Sequence, residues 1–143
     1  MAKNTGKPSE DAYESWVEEC HGHVYRFEDA YDAKKKGKAA SRKPADYLIT
    51  LGGVSCLTEV KSTIKKSLSF SAIRPEQWRN AVKVTKAAGV YTFVMHFIEE
   101  NKWFAVPAQL LINSTKQSIN ILEVAEYEFD ITKFEPKQLS YLK

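Results

Sequence analysis

The stretch that decides the fold is residues 44–61, PADYLITLGGVSCLTEVK. Two runs rich in apolar and β-branched residues, Tyr47–Leu51 and Val54–Lys61, flank the pair Gly52-Gly53. Adjacent glycines supply the positive φ angles that a two-residue hairpin turn requires. The stretch therefore predicts two antiparallel strands joined by a tight turn.

Three charged side chains come together if this hairpin forms. Asp46 precedes the first strand and Glu59 lies near the end of the second, so the two carboxylates are expected at neighbouring outer ends of the hairpin. Lys61 follows Glu59 by two residues and points to the same face. Two neighbouring carboxylates repel unless they share a cation, and hard oxygen ligands suit Mg²⁺ or Mn²⁺. We therefore predict a metal site, with Lys61 orienting water or stabilising a charged transition state.

The charges are unevenly distributed along the chain, although the formal net charge is only +3. Eight acids and one base lie between Glu10 and Asp32, whereas thirteen bases and three acids lie between Lys34 and Lys86. The segment at about 33–43 carries six bases without an acid and has no apolar face, which predicts a flexible basic loop. Such a segment favours contacts with the phosphates of DNA, and its alternative role is to keep the protein soluble.

Length and composition indicate one folded domain over residues 1–143, since 43% of the residues are hydrophobic and 27% are charged. No apolar run approaches the roughly 18 residues needed to cross a bilayer. The first nine residues are polar and lack the apolar core of a signal peptide. We therefore expect a soluble, intracellular, cytoplasmic protein. Cys20 and Cys56 have no second pair, so reduced thiols are expected.

The rest of the chain predicts helices alternating with strands. Ser9 and the acids after it indicate a capped helix that runs to about Cys20. Pro75 stands in a favoured first-turn position for a second helix, which is expected to end near Gly89. The other expected elements are a strand His23–Phe27, a hairpin of Val90–Ile98 and Trp103–Val106, a short helix Pro107–Ile112 and a strand Ile119–Phe129. This order predicts an α/β domain with a central mixed β-sheet flanked by helices.

The pattern Pro44-x-Asp46 followed by Glu59-x-Lys61 resembles the paired motif of the PD-(D/E)XK nuclease superfamily, with Ala45 inserted between the proline and the aspartate. The order of the elements is similar as well, over residues 6–106. Within the superfamily the chain is similar to the RecU-type and archaeal Holliday junction resolvases, which are small homodimers that cut four-way DNA junctions. The resemblance implies a restriction-endonuclease-like fold and a metal-dependent endonuclease.

The resemblance also implies further site residues. A glutamate of the leading helix completes the metal site in these resolvases, so Glu14 is the expected ligand and Glu10 the alternative. Gln77, on the helix after the Glu-x-Lys strand, is expected to position water or phosphate. The expected catalytic residues are Asp46, Glu59, Lys61, Glu14 and Gln77, and the expected metal-binding residues are Asp46, Glu59, Val60 and Glu14. The expected DNA contacts are Lys34, Lys35, Lys36, Lys38, Arg42, Lys43, Ser62, Thr63, Lys65 and Lys66.

Two other functions are compatible with the sequence. A nuclease of the same superfamily acting on linear or single-stranded DNA would carry the same motif. A non-catalytic DNA-binding module would give the acids structural roles only, yet such a module gains nothing from acids inside a basic surface. The favoured prediction is an endonuclease of DNA recombination and repair that depends on Mg²⁺, for which Mn²⁺ can substitute, and that cuts branched DNA as a homodimer.

Overall fold

A computed structural model describes residues 6–28, 37 and 43–142 of the chain. The helices are α1 Lys7–Glu19, α2 Pro75–Lys86 and α3 Ala108–Ile112. The strands are β1 His23–Arg26, β2 Tyr47–Leu51, β3 Val54–Thr63, β4 Ser67–Ser69, β5 Tyr91–Phe97, β6 Lys102–Pro107, β7 Ser118–Asn120 and β8 Glu128–Phe129. Short 3-10 turns occupy Phe70–Ala72, Ile121–Tyr127, Pro136–Gln138 and Ser140–Leu142.

Six of the strands form one mixed sheet in the order β1-β2-β3-β5-β6-β8, while β4 and β7 pair separately. Strands β3 and β5 are parallel, and the other neighbours in the large sheet are antiparallel. A parallel pair needs a crossover connection, and α2 lies in the segment that joins β3 to β5. The predicted mixed sheet flanked by helices is confirmed.

The two faces of the sheet carry separate apolar cores. Helix α1 buries Tyr13, Trp16 and Val17 on one face, in a cluster with β2 residues such as Ile49. Helices α2 and α3 pack on the other face with aromatic side chains of β5 and β6. Successive residues of β3 point to opposite faces of the sheet. Val60 consequently belongs to the α1 core, while its neighbours Glu59 and Lys61 point to the α2 side.

The predicted hairpin of the opening stretch is confirmed. Strands β2 and β3 are antiparallel, and Leu51 pairs with Val54 across the turn. Gly52 and Gly53 have φ angles of 59° and 82°, respectively. Both angles lie in the left-handed region, where a glycine avoids the steric cost of a Cβ atom. The turn therefore sets the register that places Asp46 relative to Glu59.

The predicted strand Ile119–Phe129 is wrong. Only Ser118–Asn120 and Glu128–Phe129 are extended, and Ile121–Tyr127 forms a 3-10 turn between them. The Asn120 side chain accepts a hydrogen bond from the Leu122 amide, and the Glu123 side chain accepts one from the Asn120 amide. This reciprocal cap starts a helical turn and ends the strand.

The predicted start of α1 and the predicted end of α2 also need correction. Helix α1 begins at Lys7, two residues before the predicted cap, and the Ser9 hydroxyl bonds to His96 rather than to the helix backbone. Helix α2 ends at Lys86, because Ala88 adopts a φ of 62° and the Gly89 amide donates back to the Val84 carbonyl. In the part of the chain that the structure describes, no helix has the length and apolar character needed to span a membrane.

Candidate active site

The hairpin register brings the two motif carboxylates together. Tyr47 pairs with Thr58, so the residues just beyond this pair, Asp46 and Glu59, lie opposite each other at the end of the hairpin. Both side chains are buried, with 6% of Asp46 and 1% of Glu59 exposed. Two acids that are removed from water this far require compensating partners, because an isolated buried carboxylate is strongly disfavoured.

Asp46 has such partners on both of its carboxylate oxygens. Its Oδ2 accepts a hydrogen bond of 2.9 Å from the Val60 amide, and its Oδ1 accepts one of 3.0 Å from Nζ of Lys43. Burial acts to raise the pKa of Asp46, but the hydrogen bond with Glu59 and these two donors outweigh it, so the pKa is lowered. Asp46 is therefore held in the ionised form.

The main chain around Asp46 is anchored as well. The Asp46 carbonyl accepts a hydrogen bond of 3.0 Å from the Phe27 amide. Two residues earlier, the Pro44 carbonyl accepts one of 2.8 Å from the Tyr91 hydroxyl. Ala45, which separates the proline from the aspartate, is fully buried in the core on the α2 side. The alanine inserted between Pro44 and Asp46 therefore packs in the core, and Asp46 still reaches the site.

Glu59 lacks an equivalent set of donors. Its buried Oε2 meets no hydrogen-bond donor among the described residues, and Oε1 lies 3.8 Å from Nζ of Lys61. Burial and the adjacent Asp46 charge raise the pKa of Glu59 to about 9. In the metal-free protein the Asp46–Glu59 pair therefore retains one proton at neutral pH, as expected for two carboxyls that share a site.

Lys61 and Gln77 are neighbours in the structure. Nζ of Lys61 lies 3.5 Å from Oε1 of Gln77, and only 2% of Gln77 is exposed. The same Oε1 accepts a hydrogen bond of 3.1 Å from the Arg74 amide at the start of α2. The Gln77 side chain thus connects the start of α2 to the lysine, which holds the ammonium group near Glu59.

These residues line a polar cavity of about 300 Å³. Gly6 and Arg74, the residues that cap the N-termini of α1 and α2, both face it. The partial positive charge of two helix N-termini is thereby directed at one space. The described lining residues are Gly6, Glu10, Arg26, Lys43, Asp46, Glu59, Val60, Lys61, Ser62, Ala72 and Arg74.

The first turn of α1 brings Glu10 to this cavity. Asp46 lines the same cavity, and burial, followed by the charge of Asp46, raises the pKa of Glu10. Glu14, one turn later, does not line the cavity. The buried Oε1 of Glu14 has no hydrogen-bond partner among the described residues. Burial raises the pKa of Tyr47, and the Glu14 carboxylate raises it further. Of the two helix glutamates, Glu10 is therefore the one beside Asp46.

A family model described as Recombination protein U matches residues 23–143. The chain belongs to the RecU family. This family consists of Holliday junction resolvases, so the predicted resolvase and nuclease class are confirmed. The matched residues include Asp46, Glu59 and Lys61, whereas α1 with Glu10 and Glu14 precedes them. No curated protein matches the chain.

A solved structure shows that this chain shares its fold with an archaeal protein. Hjc, a Holliday junction resolvase of Archaeoglobus fulgidus, superimposes with a TM-score of 0.62 at 16% sequence identity. The similarity covers 88% of this chain and 96% of the archaeal chain. At this level of identity the comparison concerns the fold, and it supports the predicted restriction-endonuclease-like architecture.

Divalent-metal dependence is general among resolvases of this type, and the site of this chain fits such an ion. One proton reduces the negative charge of the Asp46–Glu59 pair, and a bound cation could balance the charges of both carboxylates instead. Lys43 places an ammonium group 3.0 Å from Oδ1 of Asp46, so this carboxylate already bonds a cation. Within residues 6–28, 37 and 43–142, however, no three acidic, histidine or cysteine side chains are already arranged to hold a metal. Asp46 and Glu59 are the residues that would hold a metal, whose charge would balance theirs as the proton and Lys43 do here.

Two basic residues of the site, Arg26 and Arg74, were not predicted from the sequence. Both face the cavity, one from the end of β1 and the other from the start of α2. Arg26 had a signal in the sequence, because it is the one base in the acidic segment from Glu10 to Asp32. Arg74 had none beyond its position before Pro75.

The predicted DNA contacts fall into three groups. Lys43 and Ser62 line the cavity, and Lys43 is bonded to Asp46. Thr63 instead accepts a hydrogen bond from the Lys65 amide, and Lys65 and Lys66 are exposed in the bend after β3. The others lie outside the described residues, namely Lys34, Lys35, Lys36, Lys38 and Arg42.

The raised pKa of Glu59 predicts that the metal-free protein loses stability as pH rises. The folded chain binds this proton more tightly than the unfolded chain, whose carboxyl has its ordinary pKa of 4.5. The resulting contribution is complete below pH 4.5 and is lost as the pH approaches about 9. We expect the free energy of unfolding, measured with urea and a chelator, to fall as the pH rises between these limits, by no more than about 1 kcal/mol per pH unit.

Glu59→Gln should flatten this slope, since a neutral amide replaces the protonated carboxyl. Glu126→Gln changes an exposed acid and serves as the control. An unchanged slope in Glu59→Gln would assign the pH dependence to other groups.

Proposed function

We propose that this protein is a Mg²⁺-dependent endonuclease that resolves four-way DNA junctions by hydrolysing phosphodiester bonds, with Mn²⁺ able to substitute. The observation that carries the proposal is the buried Asp46–Glu59 pair, with Lys61 beside it, in a cavity that basic side chains also line. Buried acids within a positive surface suit a metal that acts on a phosphate. They would only weaken a module that binds DNA without cutting it.

The residues that would hold the metal are Asp46 and Glu59, with Glu10 as the third carboxylate. Glu10 is preferred to Glu14 because it lines the cavity and its pKa responds to Asp46. Val60, whose side chain belongs to the α1 core, is also among the residues that line the cavity and remains a proposed metal-binding residue. A divalent ion at this position lowers the pKa of bound water and neutralises charge on the phosphate during displacement.

Lys61 would act on the water or on the reacting phosphate. Its ammonium group is near Glu59 and is held by the Gln77 carbonyl. A fixed positive charge stabilises the negative charge that develops in the transition state more effectively than a mobile one. Gln77 is buried and does not line the cavity, so we assign it the task of orienting Lys61.

The other basic groups would hold the scissile phosphate. Arg26 and Arg74 face the same space as the N-termini of α1 and α2. Guanidinium groups form paired hydrogen bonds with phosphate oxygens, and helix N-termini favour anions. Lys43 also lines the cavity and would add an ammonium group to this set. The DNA strand would thus be bound by charge and by the shape of its backbone.

A homodimer would supply the two incisions that a junction requires. A four-way junction has approximate two-fold symmetry, and a closed dimer presents two equal sites related by a two-fold axis. Each protomer has one Asp46–Glu59 pair, so a single chain offers one cut for each binding event.

The test uses labelled four-way, flap, linear duplex and single-stranded DNA, each with magnesium and with a chelator. We expect magnesium-dependent cuts in the four-way junction and little cleavage of the others. In a supercoiled plasmid that carries a junction, a dimer should give linear product through paired cuts, and light scattering should give twice the mass of 16.3 kDa. Preferred cutting of linear or single-stranded DNA would instead support the other nuclease function, and binding without cuts would support the binding module.

The basic segment should contribute affinity without chemistry. Replacing Lys34, Lys35, Lys36 and Lys38 with Ala should weaken junction binding and lower the slope of log affinity against log salt by about 0.9 for each phosphate that the segment no longer neutralises. Cleavage at saturating DNA should remain. The matched control replaces four exposed lysines elsewhere, Lys83, Lys86, Lys133 and Lys137. Equal salt slopes in the two variants would show that net charge alone is responsible.

A further inference from the structure

A polar cluster outside the cavity joins the start of α1 to the sheet. Nδ1 of His96, on β5, lies 2.8 Å from the Ser9 hydroxyl, and Nε2 lies 3.1 Å from Oδ1 of Asn101. The Trp103 indole stacks on the imidazole with ring centroids 4.0 Å apart and an interplanar angle of 10°. The imidazole is therefore held by two hydrogen bonds and one stacked ring.

The hydrogen-bond directions follow from the chemistry of the groups. The Asn101 oxygen accepts, so Nε2 carries the proton and donates it. In the neutral ring Nδ1 then accepts from the Ser9 hydroxyl. Burial lowers the pKa of His96, which favours this neutral form. Ser9 is 3% exposed, so removing this bond would leave a buried hydroxyl without its partner.

The position of Ser9 connects this cluster to the proposed active site. Ser9 lies in the first turn of α1 between Gly6 and Glu10, both of which line the cavity. Gly6 has no side chain that could cap the helix, so no hydrogen bond from this residue's side chain holds the first turn. The bond to His96, 87 residues away in sequence, ties the turn to β5.

We propose that Ser9 and His96 are positioning residues that hold the first turn of α1 so that Glu10 faces Asp46 and Glu59. The proposal rests on the proposed function, in which Glu10 is a metal ligand. Partners that orient a metal ligand commonly change metal affinity by 10–100-fold when they are removed. A hydroxyl that only stabilised the helix would lower the free energy of unfolding without a specific effect on metal binding.

The test measures Mn²⁺ binding to the full chain by titration calorimetry, without DNA, for wild type, Ser9→Ala, Glu10→Gln and the double variant. We expect Ser9→Ala to weaken binding by about tenfold. The double variant should bind Mn²⁺ no more weakly than Glu10→Gln alone, because Ser9 acts through Glu10. His96→Phe keeps a ring against Trp103 but removes both nitrogens, and it should match Ser9→Ala.

Tyr141→Phe is the control for removing a hydroxyl from the same side of the sheet, since Tyr141 contacts Cys56 in the α1 core. It should leave Mn²⁺ affinity unchanged, and urea unfolding confirms that every variant is folded. The inference is overturned if the losses of Mn²⁺ affinity in Ser9→Ala and Glu10→Gln multiply in the double variant. It is also overturned if Ser9→Ala binds Mn²⁺ within twofold of the wild-type affinity. Unchanged affinity in Glu10→Gln would remove both the ligand role of Glu10 and the inference, while junction cleavage tests the nuclease function separately.

Discussion

Asp46→Ala and Glu59→Ala are each expected to abolish cleavage of four-way junctions while junction binding is kept or becomes stronger. Each change removes a proposed metal ligand, so the attacking water is no longer activated. Asp46→Ala also removes an ionised acid from a cavity that faces phosphate, which favours binding of the polyanion, whereas Glu59→Ala removes a protonated carboxyl and should leave binding unchanged. Cleavage is measured in single-turnover assays with magnesium, and binding is measured by gel shift with a chelator.

Two further comparisons make this prediction specific. Glu59→Gln keeps the shape of the side chain and is neutral, like the protonated glutamate. It should also be inactive, because an amide is a poor substitute for an anionic metal ligand. Glu10→Ala and Glu14→Ala remove glutamates from adjacent turns of α1, so their helix propensity changes are matched. We expect Glu10→Ala to lose more activity than Glu14→Ala. Wild-type rates in Asp46→Ala would remove this site from the mechanism.

Lys61→Ala should lower kcat by about 10²-fold or more, because its charge acts mainly on the transition state. The ammonium group is held between Glu59 and Gln77, and neither neighbour supplies a positive charge in its place. KM for the junction should change little. The measurement is steady-state and single-turnover kinetics with the same junction across a range of magnesium concentrations.

Lys65→Ala is the matched control for Lys61→Ala. Lys65 lies four residues later, is exposed and does not line the cavity, so its replacement should affect binding rather than kcat. Gln77→Leu should lower kcat in the same direction as Lys61→Ala if Gln77 orients the lysine. An effect of Lys61→Ala confined to KM would make Lys61 a DNA-binding residue.

The sequence by itself determined the centre of the fold and the motif. Gly52-Gly53 with apolar runs on both sides is a local signal, and the resulting register follows from the turn. That register places Asp46 opposite Glu59, and the two-residue period of a strand places Lys61 beside Glu59. The relations between Asp46, Glu59 and Lys61 depend on short-range geometry, so a pattern of residues was sufficient. Gln77 was expected near the site only because the chain resembles the resolvases named above.

The C-terminal part shows where local patterns were insufficient. Ile119–Phe129 has strand-like composition, yet the cap formed by Asn120 and Glu123 starts a 3-10 turn and leaves Leu122 82% exposed. In this segment a side-chain hydrogen bond to the backbone outweighed the preference of apolar residues for a strand.

Only the tertiary structure decided which side chains complete the cavity. Glu10 and Glu14 both follow the polar pattern of α1, and the rotation of the helix on the sheet selects Glu10. That rotation depends on the packing of Tyr13 and Trp16 against residues distant in sequence. Arg26, Lys43 and Arg74 reach the same space from three separate segments. Long-range packing sets the distances between these side chains, and the spacing of the residues along the chain does not predict those distances.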